Sequence, residues 1–150
     1  MPEPNDRAPA RGDPQPDRAV TLIRSDALSD IAEYAYAATA PADARLIFLA
    51  GACPLNEDGT TAAVGDHGGQ AAKAVENMRT ALAEAGASLE DVVSTRVLVA
   101  STSRADLVTA WQVVRDAFGS HDVPSTLTGV TVLGYEDQLV EIEAVAAVVE

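Results

Sequence analysis

The spacing of apolar and polar positions changes several times between residues 19 and 149, and each change marks an element. Ala19-Val20-Thr21-Leu22-Ile23-Arg24 is a short strand-like run. Tyr34 to Ala40 alternates large and small side chains and stops at Pro41, as a second strand would. Arg45 to Gly51 is almost continuously apolar, closed by Gly51 and Pro54, and Asn56-Glu57-Asp58-Gly59 is a turn. The period then lengthens. Ala71, Val75, Met78, Leu82 and Ala85 recur on one face of a helix that Gly86 ends. Asp91 to Ala100 is rich in β-branched residues and predicts a strand. Leu107, Trp111, Val114 and Phe118 repeat the helical spacing up to Gly119, behind a Ser103/Asp106 pair of capping-box type. Thr126–Leu133 and Leu139–Val149 are the last two strands.

The predicted order β-β-β-α-β-α-β-β is that of an α+β layer, with two helices packed on one face of a mixed sheet. The other face then needs cover, which a trimer could supply. Residues 1–19 carry five of the eight prolines among charges, with no aliphatic pattern, and are expected to be a disordered tail. Residues 20–150 make one domain.

Composition narrows the function. The hydrophobic fraction is 47% but aromatics are only 4%, so the core is expected to be small aliphatic side chains in close contact. Ten Lys and Arg stand against 23 Asp and Glu, a net charge of -13. That excludes the clustered cations that nucleic acid or an anionic membrane requires. No run is long and apolar enough to span a bilayer. The single cysteine cannot form an internal disulfide, which fits a reducing cytoplasm. Cys53, His67 and His121 have no zinc-like spacing, and no calcium-type loop is present. No metal or other cofactor is expected.

The last strand reads Leu139-Val140-Glu141-Ile142-Glu143-Ala144-Val145. Alternation puts Glu141 and Glu143 on one face and Val140, Ile142 and Ala144 on the other. A wet sheet face accounts for this. So does an interface, where a carboxylate could activate a water as general base. Gly51-Ala52-Cys53-Pro54 ends an apolar strand, where a glycine admits a ligand to the backbone or simply makes a turn. Cys53 has no base beside it in sequence, which disfavours a nucleophilic role. Tyr34 and Tyr36 share a strand face and either line a ligand site or close an edge. Trp111, at core spacing, is expected to pack inward, and both histidines are expected in solvent. Pro124-Ser125-Thr126 opens a strand with two hydroxyls that bind a ligand or cap the turn.

Three segments together resemble a known family. They are Ile47-Phe48-Leu49-Ala50-Gly51 with Pro54 and the Asp58-Gly59 turn, Ala83-Glu84-Ala85-Gly86-Ala87-Ser88-Leu89-Glu90-Asp91-Val92-Val93, and Leu139 to Ala146. They are similar to the strand–Gly–x–x–Pro, AAGASLEDVV and LVEIEAIA signatures of the RidA/YjgF, or L-PSP endoribonuclease-like, family. The resemblance covers roughly residues 20–149. It implies a chorismate-mutase-like fold, a homotrimer forming a barrel, and ligand clefts between subunits. In the family's deaminases, enamines or imines are hydrolysed to 2-keto acids and ammonia without a cofactor. An arginine grips the substrate carboxylate, a glutamate positions the water, and a tyrosine and the backbone near a glycine complete the site.

By resemblance the glutamate falls on Glu141, the tyrosine on Tyr34 and the glycine on Gly51. Tyr36, Ala52, Cys53, Thr126 and Leu127 join the implied substrate pocket. An asparagine of the second helix is replaced by Trp111, and one extra residue sits within Gly134–Gln138. The arginine of the Pro-x-Arg-[ST] motif is missing; its slot is placed on Ser125, with no substitute arginine nearby in sequence. Such an arginine contributes about 1.5–3 kcal/mol of charged hydrogen bonding, roughly ten- to a hundredfold in substrate capture. The expectation is therefore hydrolysis or tautomerisation of a non-standard imine, enamine or related reactive metabolite, not of a free 2-imino acid, with Glu141 as base and Ser125, Thr126 and the Gly51 backbone orienting the ligand. A non-catalytic small-molecule-binding or regulatory trimer is the alternative. A ribonuclease activity, as the older family name implies, conflicts with the charge.

Overall fold

The computed structural model describes residues 18–150. The chain runs β1 (Thr21–Ile23), β2 (Ala37–Thr39), β3 (Arg45–Phe48), α1 (His67–Glu84), a 3-10 turn (Leu89–Asp91), β4 (Val92–Ala100), α2 (Arg104–Phe118), β5 (Ser125–Val130) and β6 (Val140–Val148). The order matches the pattern, with each strand shorter than its expected range, β2 and β5 among them. Tyr34 and Tyr36 precede β2, because the Ala35 amide donates to the Asp122 carbonyl at 2.7 Å instead of joining a ladder. β5 stops at Val130 rather than Leu133, because its partner β4 ends opposite it at Ala100.

The main sheet has the order β3-β6-β4-β5. β6 is antiparallel to β3 and β4, whereas β4 and β5 are parallel. Parallel neighbours need a long crossover, and α2 supplies it. Both helices lie on one face. Met78 and Leu82 of α1 and Ala110 and Val114 of α2 are fully buried against Val97, Val99, Val140 and Ile142. β1 and β2 pair separately and cover one end of the opposite face, where Ala147 is buried with Val20, Leu22 and Ala35. The rest of that face is open.

α1 starts at the Asp66 cap, which accepts from the Gly69 amide at 3.0 Å. It ends in a Schellman turn: Ala87 donates to Leu82 and Gly86, at φ 83, to Ala83. The capping box expected at Ser103 and Asp106 does not form. Asp106 instead accepts from Ser101 Oγ at 2.7 Å, and Ser103 makes no side-chain cap. The domain also begins earlier than position 20. The Arg18 guanidinium binds Ser88 and Asp91, and Ala19 is buried. The rest of the expected tail, residues 1–17, lies outside the described residues.

Candidate functional site

β6 alternates as its sequence predicts. Val140, Ile142 and Ala144 are buried under the helices, while Glu141 and Glu143 stand half-buried on the open face. Glu141 lies opposite Leu98, and Glu143 opposite Arg96. Gly51 follows β3, and a Cβ there would sit 2.8 Å from Glu141 Cδ and 3.1 Å from its Oε1. Only a glycine lets this carboxylate rest on the backbone. Cys53 Sγ donates to Glu141 Oε1 at 3.0 Å. Burial, and then the bond and charge of Glu141, push the thiol up to about 11. The proton therefore stays on sulfur at neutral pH, and Cys53 orients the carboxylate rather than attacking a substrate. Ala52 points the other way, buried in a bridge to Ile142.

Two polar residues of α1 hold this corner, and sequence reasoning did not single them out. Asn77 Nδ2 donates to the carbonyls of Cys53 and Leu55 at 2.8 and 2.9 Å. Gln70 is fully buried; its Nε2 donates to the Asp137 carbonyl at 2.9 Å, and its Oε1 accepts from the Leu139 amide at 2.7 Å. The available signal was position: each sits next to an apolar-stripe residue, Met78 or Ala71.

A second group gathers at the β5 edge. The Tyr34 ring makes edge contacts with Tyr36 and Trp111 at 6.2 and 6.0 Å. Tyr34, Tyr36, Arg96, Pro124, Ser125 and Thr126 line one groove. The strand alternation separates the three residues that open β5. Ser125 pairs with Thr95, its hydroxyl 2.6 Å from Thr95 Oγ1 and donating to the Val123 carbonyl. Leu127 packs against the core on the helix side. Thr126, opposite Arg96, is the exposed residue on the Glu141 face. Thr126 also stands two positions after Pro124, the third position of a Pro-x-Arg spacing. A cation is nearby after all. Parallel pairing brings Arg96 beside Thr126, with Nη1 3.5 Å from Glu143 Oε2. Thr126 and Glu141 lie two strands apart and two residues out of step, roughly 12 Å between backbones.

Trp111 is half-buried rather than in the core. Its Nε1 donates to Glu33 Oε2 at 2.8 Å, and Arg115 Nη1 donates to the same oxygen at 2.8 Å. Arg115, then Trp111, hold the Glu33 carboxyl below its ordinary range. Neither histidine is free in solvent. His121 Nε2 is 2.8 Å from the Val92 carbonyl. His67 Nε2 is buried without a hydrogen-bond partner, 3.8 Å from Asp106. Among the described residues no three His, Cys, Asp or Glu side chains converge as metal ligands, and no helix is long and apolar enough to cross a membrane.

The sequence matches the family model Endoribonuclease L-PSP over residues 25–148. Among solved structures, the chain is similar to the Rid-family protein YyfB of Yersinia pestis. Identity is 25%, over 87% of this chain and 99% of that one, with a TM-score of 0.78. A YjgF-family protein of Mycobacterium tuberculosis is 30% identical over 87% and 100% of the two chains, with a TM-score of 0.58. E. coli TdcF, solved with bound serine, is 26% identical over 79% and 96%, with a TM-score of 0.59. No curated protein matches the chain.

Proposed function

Because this chain belongs to the L-PSP endoribonuclease family, the YjgF/Rid group, and has its α+β fold, we propose that it hydrolyses a reactive imine or enamine whose carboxylate is absent or masked. The observation that carries this reading is the Glu141 carboxylate, laid over Gly51 and oriented by Cys53 on an open sheet face. Glu141 takes a proton from water as the oxygen attacks the C=N carbon. The proton passes to nitrogen, the C–N bond of the carbinolamine breaks, ammonia leaves and a carbonyl remains. Thr126 and the backbone at Gly51 orient the ligand.

The substrate class follows from charge. Thr126 replaces the arginine, and Arg96, the guanidinium on this face among the described residues, is already paired with Glu143. Glu141 remains uncompensated by any neighbouring cation among the described contacts, so a free 2-imino acid is repelled. Tyr34 and Glu141 occupy separate ends of this face, and Leu46 and Phe48 beside them are 52% and 74% exposed. Both features support a homotrimer in which a neighbour covers the face and closes the cleft. The net charge of -13 opposes ribonuclease action.

The test supplies imines in situ. An amine oxidase releases neutral imines from primary amines, and an amino-acid oxidase releases 2-imino acids; ammonia release is followed with and without the protein. Faster ammonia release from the neutral imines alone is expected. Equal acceleration of 2-imino acids overturns the altered specificity, and no acceleration of either favours a binding protein.

A further inference from the structure

The contact between Glu33 and α2 has the form of a ligand site occupied by the protein itself. One carboxylate oxygen of Glu33 accepts both the Trp111 indole N–H and the Arg115 guanidinium, each at 2.8 Å. Beneath it lies a cavity floored by Val114, Phe118 and Val123, with Ser125 and Asp122, whose carboxylate is paired with Arg24, also lining it. The room left under Glu33 is about 10 Å³, that of a single water. Nothing larger enters while Glu33 is in place. Arg115 also pairs with Asp116, at 3.0 Å.

Glu33 is carried on a segment built to move locally. Its base is fixed: Arg24 forms a two-pronged pair with the Asp122 carboxylate, and the Ala35 amide donates to the Asp122 carbonyl. Between these anchors, the Ser25 and Ser29 hydroxyls accept from amides of the same segment, and Tyr36 Oη donates to the Ser29 carbonyl. Leu28 and Ile31 are 54% and 84% exposed. Few apolar contacts therefore hold residues 25–33 down, and such segments open at low cost.

We propose that Trp111 and Arg115 form a carboxylate-binding site, which Glu33 plugs as a tethered competitor, for a small monocarboxylate with an aliphatic tail. The carboxylate takes the place of Glu33, and the tail lies on Val114, Phe118 and Val123. The site shares no residue with the Glu141 corner, so it stands whether or not Glu141 is a base. A tethered competitor acts at an effective concentration in the millimolar range, which hides the site from weak ligands.

Trp111 is the only tryptophan in the chain, so its fluorescence reports this site alone. The full chain, Glu33→Ala, and Glu33→Ala combined with Arg115→Gln are titrated with butyrate and with butyramide. Circular dichroism confirms that each is folded, and Glu33→Ser serves as a second unplugged variant. Saturation of the unplugged variants by butyrate at concentrations at least tenfold lower than for the parent is expected, with no response to butyramide and none in the double variant. Equal responses to butyrate and butyramide, or equal butyrate affinity with and without Glu33, would overturn the proposal.

Discussion

Glu141, Gly51 and Cys53 form a unit in which each residue constrains the next. The carboxylate lies where a Cβ on Gly51 would stand, so Gly51→Ala displaces it without touching the core. The expected result is a fall in kcat with an unchanged melting profile, checked by kinetics beside calorimetry. Cys53 gives a pH signature. Its folded value of about 11 exceeds the ordinary 9.0. The folded chain therefore keeps a proton that the unfolded chain releases, and the contribution is constant below pH 9 and lost between pH 9 and 11. Iodoacetamide labelling should be slow at pH 8 and accelerate near pH 11, and Glu141→Gln should move that rise to lower pH. Glu33 behaves oppositely. Its carboxyl is depressed below 4.5 by Arg115 and Trp111, so the contact is complete above pH 4.5 and lost as pH falls below it. Trp111 fluorescence should change in that acid range and stay flat in Glu33→Gln.

At the scale of elements, the apolar stripes were legible because a period of 3.6 or 2 needs only local sequence. Met78, Leu82, Val114, Ile142 and the outward pair Glu141/Glu143 fell where the pattern put them. What the pattern missed depends on which strands are neighbours. Ser125, Thr126 and Leu127 look interchangeable in sequence; pairing with β4 turns Thr126 alone toward Glu141. Arg96 lies about thirty positions from Thr126 and meets it only through the parallel ladder. The Ser103 cap failed because Ser101 engaged Asp106 first. Asn77 shows what an element contributes to the site. It ties α1 to the Cys53–Leu55 segment by two hydrogen bonds, each worth about 1 kcal/mol, more where the acceptors stay buried. Asn77→Ala should cost about 1–3 kcal/mol in denaturant unfolding and loosen Glu141 through Cys53.

For the whole molecule, the open sheet face unites the account. It carries Glu141 at one end, Thr126 and the tyrosine groove at the other, and an exposed Leu46–Phe48 patch between the chain and solvent. An exposed apolar patch of this kind marks a contact surface. If the proposed homotrimer forms through this face, Phe48→Glu should reduce the mass measured by light scattering from three chains to one, and the activity should fall with it. The most direct test of the central claim is the rate of ammonia release from oxidase-generated neutral imines by the parent chain and by Glu141→Gln. A loss of roughly 10²- to 10⁴-fold, the span of a removed general base, with the oligomer intact, is the expected result. Equal rates for the two proteins would contradict the assignment of Glu141 and with it the hydrolytic reading of the site.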